Sequence, residues 1–203
     1  MKIINKNQLI LASKSPRRKE LLARAGISFS VVAGMFDESS ISPSSPRAYV
    51  ELLAEAKAKE ISLLHPDNWV LGADTIVLIN DEILEKPKSE SEAFKMLKLL
   101  SGNVHEVLTG YFICCKMKNR AFSETITTKV IFKDLDDEEI KWYIKTKEPF
   151  GKAGAYAIQG LGSRFVKSIK GSYSNVVGLP VCEVIDFLKK ESVLDNGKGY
   201  KLD

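Results

Sequence analysis

With 203 residues and 44% hydrophobic content, the chain has material for one generous domain or two small lobes. Its formal charge of +4, from 30 basic and 26 acidic residues evenly interspersed, is too mild for a polybasic nucleic-acid or membrane surface. Three cysteines without a CxxC pair suit a reducing compartment, and no segment approaches the roughly 20 apolar residues that span a bilayer, so a cytoplasmic protein is expected.

Apolar alternation predicts a strand over residues 8–12, and the stretch that follows reads as a helix. Ser15 caps it, Pro16 suits its first position and Gly26 stops it. Its first turn holds Arg17 and Arg18, where the positive end of the helix dipole disfavours cations. Two arrangements accommodate them. Either they lie on an exposed turn, with Arg17 paired to Glu20, or a polyanion sits where N–H groups, dipole and two guanidinium forks converge. A second strand is predicted near residues 28–32. After a Ser/Pro-rich loop, Ser45 and Pro46 launch a helix to about residue 64, with Tyr49, Leu52, Leu53, Ala56 and Leu63 on one face. Lys57 lies about 40° from Leu53 on that wheel, so its amine either snorkels to water or reaches over the sheet end.

WVLGADTIVLI, residues 69–79, reads as a buried strand carrying one charge, Asp74. A carboxylate there costs several kcal/mol unless it is paired, hydrogen-bonded or metal-bound. An exposed turn over residues 72–75 would avoid the cost, but Ala73, Thr75 and Ile76 make a poor turn. NDE is a tight turn and EILEKP a short strand, which places Lys86 at a strand end just before a chain reversal. Ser89 and Glu92 form a capping box for a helix reaching Gly102. Residues 104–117 and 121–133 flank KMKNRA as a hairpin, and DLDDEEIKWYIKTKE is an acidic-capped helix. A glycine-punctuated run over residues 151–178 precedes a last helix from residue 180 to about 190. The alternation predicts an α/β fold around a mixed sheet, and residues 191–203, without periodicity, are expected to be a tail.

In GKAGAYAIQG, Gln159 is the one uncharged polar side chain, and an amide with both donor and acceptor suits a nucleobase edge; a tight loop is the plainer reading. The glycines match no Walker A or GxGxxG spacing. His65 and His105 lack metal-ligand spacing, and no Ser/His/Asp or Cys/His arrangement can be assembled. Any metal would be held by one or two acids together with substrate phosphates, the candidates being Asp74 and the loop pair Asp37 and Glu38.

Six ordered blocks carry a further signal: ASKSPRRKELL, the lysine of LLAEAKA, LGADTIV, LEKPKSESEAFKMLKLLSGNVHEVLTG, EPFGKAGAYAIQGLGSRFV and GSYSNVVGLP. Over roughly residues 8–190 the sequence resembles the Maf family of nucleotide pyrophosphatases. The resemblance implies one domain over residues 1–190, followed by the tail. Its fold would be like that of the inosine-triphosphate pyrophosphatases, a mixed, strongly bent sheet flanked by helices, in two lobes around a cleft. It also implies cleavage of a nucleoside triphosphate between the α and β phosphates with a divalent metal, magnesium, manganese or cobalt, and a possible homodimer. Carried over by position, Asp74 would be the general base, and Ser13, Arg17, Arg18, Lys57 and Lys86 would hold substrate. Glu38, with Asp74, would serve the metal, and Arg17, Thr75 and Gln159 match positions tied to nucleotide choice. Members reading AYAIQG are similar to enzymes preferring dTTP and UTP, whereas a sister branch preferring 7-methyl-GTP carries an acidic residue there. A non-hydrolysing nucleotide- or nucleic-acid-binding regulator of septum formation is the rival class. Phe150 and Gly151 depart from members with an acidic residue before the lysine.

Overall fold

A computed structural model describes residues 9–41 and 45–194. The first strand is β1 (Leu9–Leu11), residue 8 lying outside the described residues, and it leads into α1 (Pro16–Arg24) and β2 (Ser30–Val31). Next come α2 (Pro46–Leu64), β3 (Trp69–Ile79), β4 (Glu82–Leu84) and α3 (Glu90–Leu100). Local chemistry sets the starts of α2 and α3 and the β3-β4 turn as expected, whereas Ser15, the residue expected to cap α1, makes no side-chain cap bond. Ser45 Oγ accepts from Ala48 N and Ser89 Oγ from Glu92 N, while Asn80 and Asp81 take the left-handed backbone that a tight hairpin turn requires. The long hairpin is β5 (Val104–Cys115) with β6 (Arg120–Phe132), and α4 (Asp137–Lys145) is capped by Asp136.

The glycine-rich run holds two elements that the sequence reading leaves out, β7 (Val166–Lys170) and α5 (Tyr173–Val177), before α6 (Val181–Lys190). VKSIK is an edge strand with both lysines in solvent, so it lacks the buried alternation that marks a strand in sequence. Past α6, Val193 and Leu194 pack on the core beside Trp69, while residues 195–203 of the expected tail lie outside the described residues.

The seven strands form one mixed sheet, ordered β2-β1-β3-β5-β6-β7, with β4 also on β3. β1 is parallel to β2 and β3, and the remaining pairings are antiparallel. β5 covers one edge of β3 along its length, whereas β1 and β4 share the other. β1 pairs with residues 69–71 and β4 with residues 77–79, so residues 72–76 have no strand beside them on that edge. One apolar cluster gathers around Leu11, Leu22, Trp69 and Leu188 at the first end of β3, and another around Val77, Leu97, Phe132 and Tyr143 at the far end. These are the two lobes, and the gap in the β3 edge lies between them.

The α2 helix buries Tyr49 and Leu53 as expected, but the rest of its buried face is turned away from Leu52 and Leu63. Leu52 and Leu63 are 43% and 62% exposed, while Val50, Ala54 and Ala58 are fully buried. The reason lies in the sheet. A Cβ on Gly72 would stand 2.2 Å from Ala54 O, and one on Gly110 would stand 2.6 Å from Val50 O, so the helix lies directly against the strand backbones. Where the helix crosses Gly72, that approach leaves room only for small side chains such as Ala54 and Ala58. Among the described residues, no helix is long and apolar enough to cross a membrane.

Candidate active site

Arg18 points from α1 into the gap and is 9% exposed. Its Nε donates to Gly178 O at 2.8 Å, Nη1 to Ser13 Oγ at 3.2 Å and Nη2 to Thr75 Oγ1 at 3.1 Å. The guanidinium therefore ties α1, β3 and the loop after α5 into one wall. Thr75 Oγ1 is 2.9 Å from Thr109 Oγ1, whose proton goes to Asn175 O, so Thr75 donates onward and leaves a lone pair for Arg18.

Arg17 has the opposite character. It is half-buried and has no hydrogen-bond or ion-pair partner among the described residues; Glu20 pairs with Arg24 instead, at 2.6 Å. Burial, then the neighbouring Arg18 charge, lowers its pKa, the signature of a cation without a counter-anion. Ser15 makes no side-chain cap bond and the first turn of α1 holds no acid, so its backbone N–H groups also lack an anion.

Asp74 lies in mid-strand, opposite Gly110, and not in a turn. Its compensation comes from α2: Lys57 Nζ is 2.6 Å from Asp74 Oδ1 and 2.8 Å from Glu38 Oε1. One ammonium thus joins the two acids. For Glu38, burial favours the neutral acid, but the hydrogen bond and charge of Lys57, with Lys86 and Arg18, outweigh it and hold the pKa below the usual carboxylate range. Asp37, its neighbour, is exposed and does not line the cleft. Lys86 follows β4 at the other side of the gap, and Gln159 is exposed at the rim.

All nine residues expected to act on substrate or metal (Ser13, Arg17, Arg18, Glu38, Lys57, Asp74, Thr75, Lys86 and Gln159) line one cleft of about 440 Å³. Lys14, Glu60, Lys152 and Tyr156 line it too and went unnoticed in the sequence. Glu60 accepts from Met35 N at 2.9 Å and Phe36 N at 3.2 Å, holding the loop that delivers Glu38. Lys152 Nζ donates to Glu148 O and Phe150 O, both at 3.3 Å; burial, then the charge of Arg17, lowers its pKa. Its place between two glycines in GKAG was the one available signal. Tyr156 Oη is 2.9 Å from His105 Nε2, and burial pushes that imidazole down to about 4. Six cations against three carboxylates make the cleft an anion site, and a buried carboxylate at its floor gives it a group able to take a proton.

Among the described residues, no three His, Cys, Asp or Glu side chains cluster as a metal cage. Asp74 and Glu38 nonetheless converge on a single cation, Lys57 Nζ, which fits an ion held by two protein carboxylates and completed by water and substrate oxygens.

Comparison with known proteins places this arrangement. Residues 8–191 match the family described as Maf-like protein. A protein of Geotalea uraniireducens (strain Rf4), named dTTP/UTP pyrophosphatase, is 49% identical over 190 residues, covering 94% of this chain and 98% of its own length. Proteins of the same name from Geobacter sp. (strain M21) and Geobacillus sp. (strain WCH70) are each 50% identical, over 94% and 90% of this chain and 98% and 97% of their own. With a match that spans both lobes and every residue of the cleft, this chain belongs to the Maf family.

Proposed function

We propose that the protein is a nucleoside triphosphate pyrophosphatase that hydrolyses dTTP and UTP to the monophosphate and pyrophosphate. The observation that carries the reading is the one cleft in which a buried carboxylate faces a wall of cations. Near neutral pH a triphosphate carries about four negative charges, and its entry needs several cations at once.

In this reading Arg17, Lys57 and Lys86 take the phosphate oxygens, together with the free N–H groups at the start of α1. Arg18 spends three donors on protein acceptors; it fixes the wall and aims its remaining N–H groups at the ligand. Asp74 accepts the proton of the water that attacks the α-phosphorus, its Oδ1 held by the Lys57 ammonium at 2.6 Å. Glu38 and Asp74 would hold a divalent cation, magnesium, manganese or cobalt, which supplies stabilisation of the charge developing on the departing pyrophosphate. Gln159 makes no hydrogen bond to the protein among the described residues, so its amide is free to pair with the N3–H and a carbonyl of uracil or thymine. Cytosine presents a different donor and acceptor pattern at those positions and is expected to fit worse.

The test is a panel of dTTP, UTP, CTP and 7-methyl-GTP with each metal, scoring monophosphate and pyrophosphate together. Equimolar UMP and pyrophosphate from UTP, with little from CTP, is expected. Orthophosphate in place of pyrophosphate refutes the cleavage site, turnover of 7-methyl-GTP alone refutes the pyrimidine assignment, and absence of turnover makes the cleft a binding site only.

A further inference from the structure

Gln159 reaches the cleft rim with no side-chain anchor, so only its backbone can place it. That backbone is held from outside. At one end of the segment, Ala157 N donates to Tyr143 Oη at 3.1 Å, and Tyr143 Oη in turn donates to Glu148 Oε1 at 2.8 Å. At the other end, Leu161 N donates to Glu148 Oε2 and Gly162 N to Glu148 Oε1, both at 3.0 Å. Both ends of the turn that carries Gln159 therefore hang on one carboxylate.

The contact is also steric. A Cβ on Gly160 would lie 2.2 Å from Glu148 Oε2, and one on Gly162 would lie 2.7 Å from Tyr143 Oη. The turn after Gln159 is seated directly on the Tyr143 and Glu148 pair. Gly160 offers no side chain to cap the 3-10 turn Leu161–Phe165, and Glu148, thirteen residues back from Leu161, supplies the missing acceptor. Burial works against ionisation of Glu148, but the N–H groups of Gly162 and Leu161 and the Tyr143 hydroxyl outweigh it and hold the carboxyl below its usual range. An ionised carboxylate accepts all three bonds, whereas an amide would turn its NH2 group toward at least one of these donors.

We propose that Glu148 is a positioning residue for base choice, acting through Tyr143 and the backbone of residues 157–162 to set the Gln159 amide at the cleft rim. This inference rests on the pyrimidine reading above. Glu148 touches no substrate, and its effect falls on discrimination between bases, not on phosphate binding or the proton transfer at Asp74.

The experiment measures binding of the α,β-methylene analogues of UTP and CTP to the wild type, Glu148→Gln, Tyr143→Phe, Gln159→Ala and the double variant Glu148→Gln/Gln159→Ala. Because the analogues are not cleaved, the readout is independent of turnover. Glu148→Gln is expected to lower the UTP-over-CTP preference about tenfold, the worth of one well-placed hydrogen bond, and Tyr143→Phe about threefold. The double variant is expected to discriminate no worse than Gln159→Ala alone, since residues acting in series are not additive. Should Glu148→Gln fail to fold, Tyr143→Phe decides. Equal weakening of both analogues, an additive double variant, or a wild type without preference overturns the proposal. A wild type that prefers the UTP analogue through Glu148 yet releases no pyrophosphate from UTP upholds it and refutes the hydrolase reading.

Discussion

Replacing Asp74 with asparagine keeps the shape of the side chain and removes its basicity. The structure sets the cost in stability. The amide oxygen still accepts from Lys57, and the same ammonium keeps its 2.8 Å contact with Glu38, so the site loses one charge-assisted component and leaves no orphaned cation. That loss is about 1 kcal/mol, or a fall in Tm of about 2–4 °C for a chain of this length. The effect on catalysis is of another order, because no other carboxylate in the cleft is both buried and in mid-strand. Glu38 opens a short 3-10 turn, Glu38–Ser40, and is only partly buried, and Glu60 spends both oxygens on backbone N–H groups. Loss of a sole positioned base costs about 10²- to 10⁴-fold, equivalent to about 3–5 kcal/mol of barrier. The assay is pyrophosphate release from saturating UTP with UMP quantified in parallel, alongside a thermal melt. A variant that folds and retains more than about a tenth of wild-type turnover removes Asp74 as the base.

Arg17→Ala and Arg18→Ala are expected to differ in kind. Arg17 has no hydrogen-bond or ion-pair partner among the described residues, so its loss leaves Tm within about 2 °C and raises KM for UTP about tenfold or more, whereas Arg18→Ala breaks three buried bonds and lowers Tm by about 6–12 °C, read by melts beside the kinetics. His105 carries a pH prediction: with a folded pKa depressed to about 4 against about 6.5 unfolded, its contribution is complete above pH 6.5. Below that the unfolded chain takes up a proton the native state refuses, so stability falls by up to about 3 kcal/mol as pH drops toward 4, and His105→Phe flattens that stretch of the Tm profile. Gly72→Ala places a methyl group against Ala54 O, a backbone atom that cannot turn aside, and is expected to cost about 3 kcal/mol in a urea titration and to lower turnover by shifting the helix that carries Lys57. Normal stability in that variant would refute the close helix-to-sheet contact.

What the sequence disclosed and what it hid follow from how local each cause is. The caps at Ser45 and Ser89 and the Asn80–Asp81 turn act within four residues, so the helices α2 and α3 and the β3-β4 turn are legible. Asp74 is legible because an isolated carboxylate in an apolar strand demands an explanation. The buried face of α2 is legible only in part, at Tyr49 and Leu53, since an amphipathic wheel takes large residues to point inward and cannot see that two glycines in distant strands draw Ala54 and Ala58 to the sheet. Glu60 and Glu148 escape for a related reason. An acid whose task is to receive backbone N–H groups 25 or 13 residues away looks, in sequence, like any solvent-facing acid. Gly160 and Gly162 read as loop punctuation, although each marks where a side chain from another segment fills the space.

The gap in the β3 edge explains why these separate features belong to one site. β1 stops at Leu11 and turns into α1, and β4 returns from the hairpin turn only as far as residues opposite 77–79, so a stretch of a central strand is left without a neighbour and its Asp74 and Thr75 line the cleft. Such an opening falls at the carboxyl end of a parallel strand, where α/β sheets place their ligands, and it delivers Ser13 and Arg18 from one side and Lys86 from the other. The buried Asp74 is tolerable in that gap only with a cation at hand, and α2 supplies it. Lys57 lies between Ala54 and Ala58, whose backbone atoms are the ones a Cβ on Gly72 would strike, so the helix is closest to the sheet where its lysine must reach the acid. A larger residue at position 72 would push that ammonium away from a carboxylate that contacts no other cation among the described residues, leaving a buried charge without its counter-ion. The glycine two residues before Asp74 is on this argument as much a part of the proposed chemistry as the lysine itself.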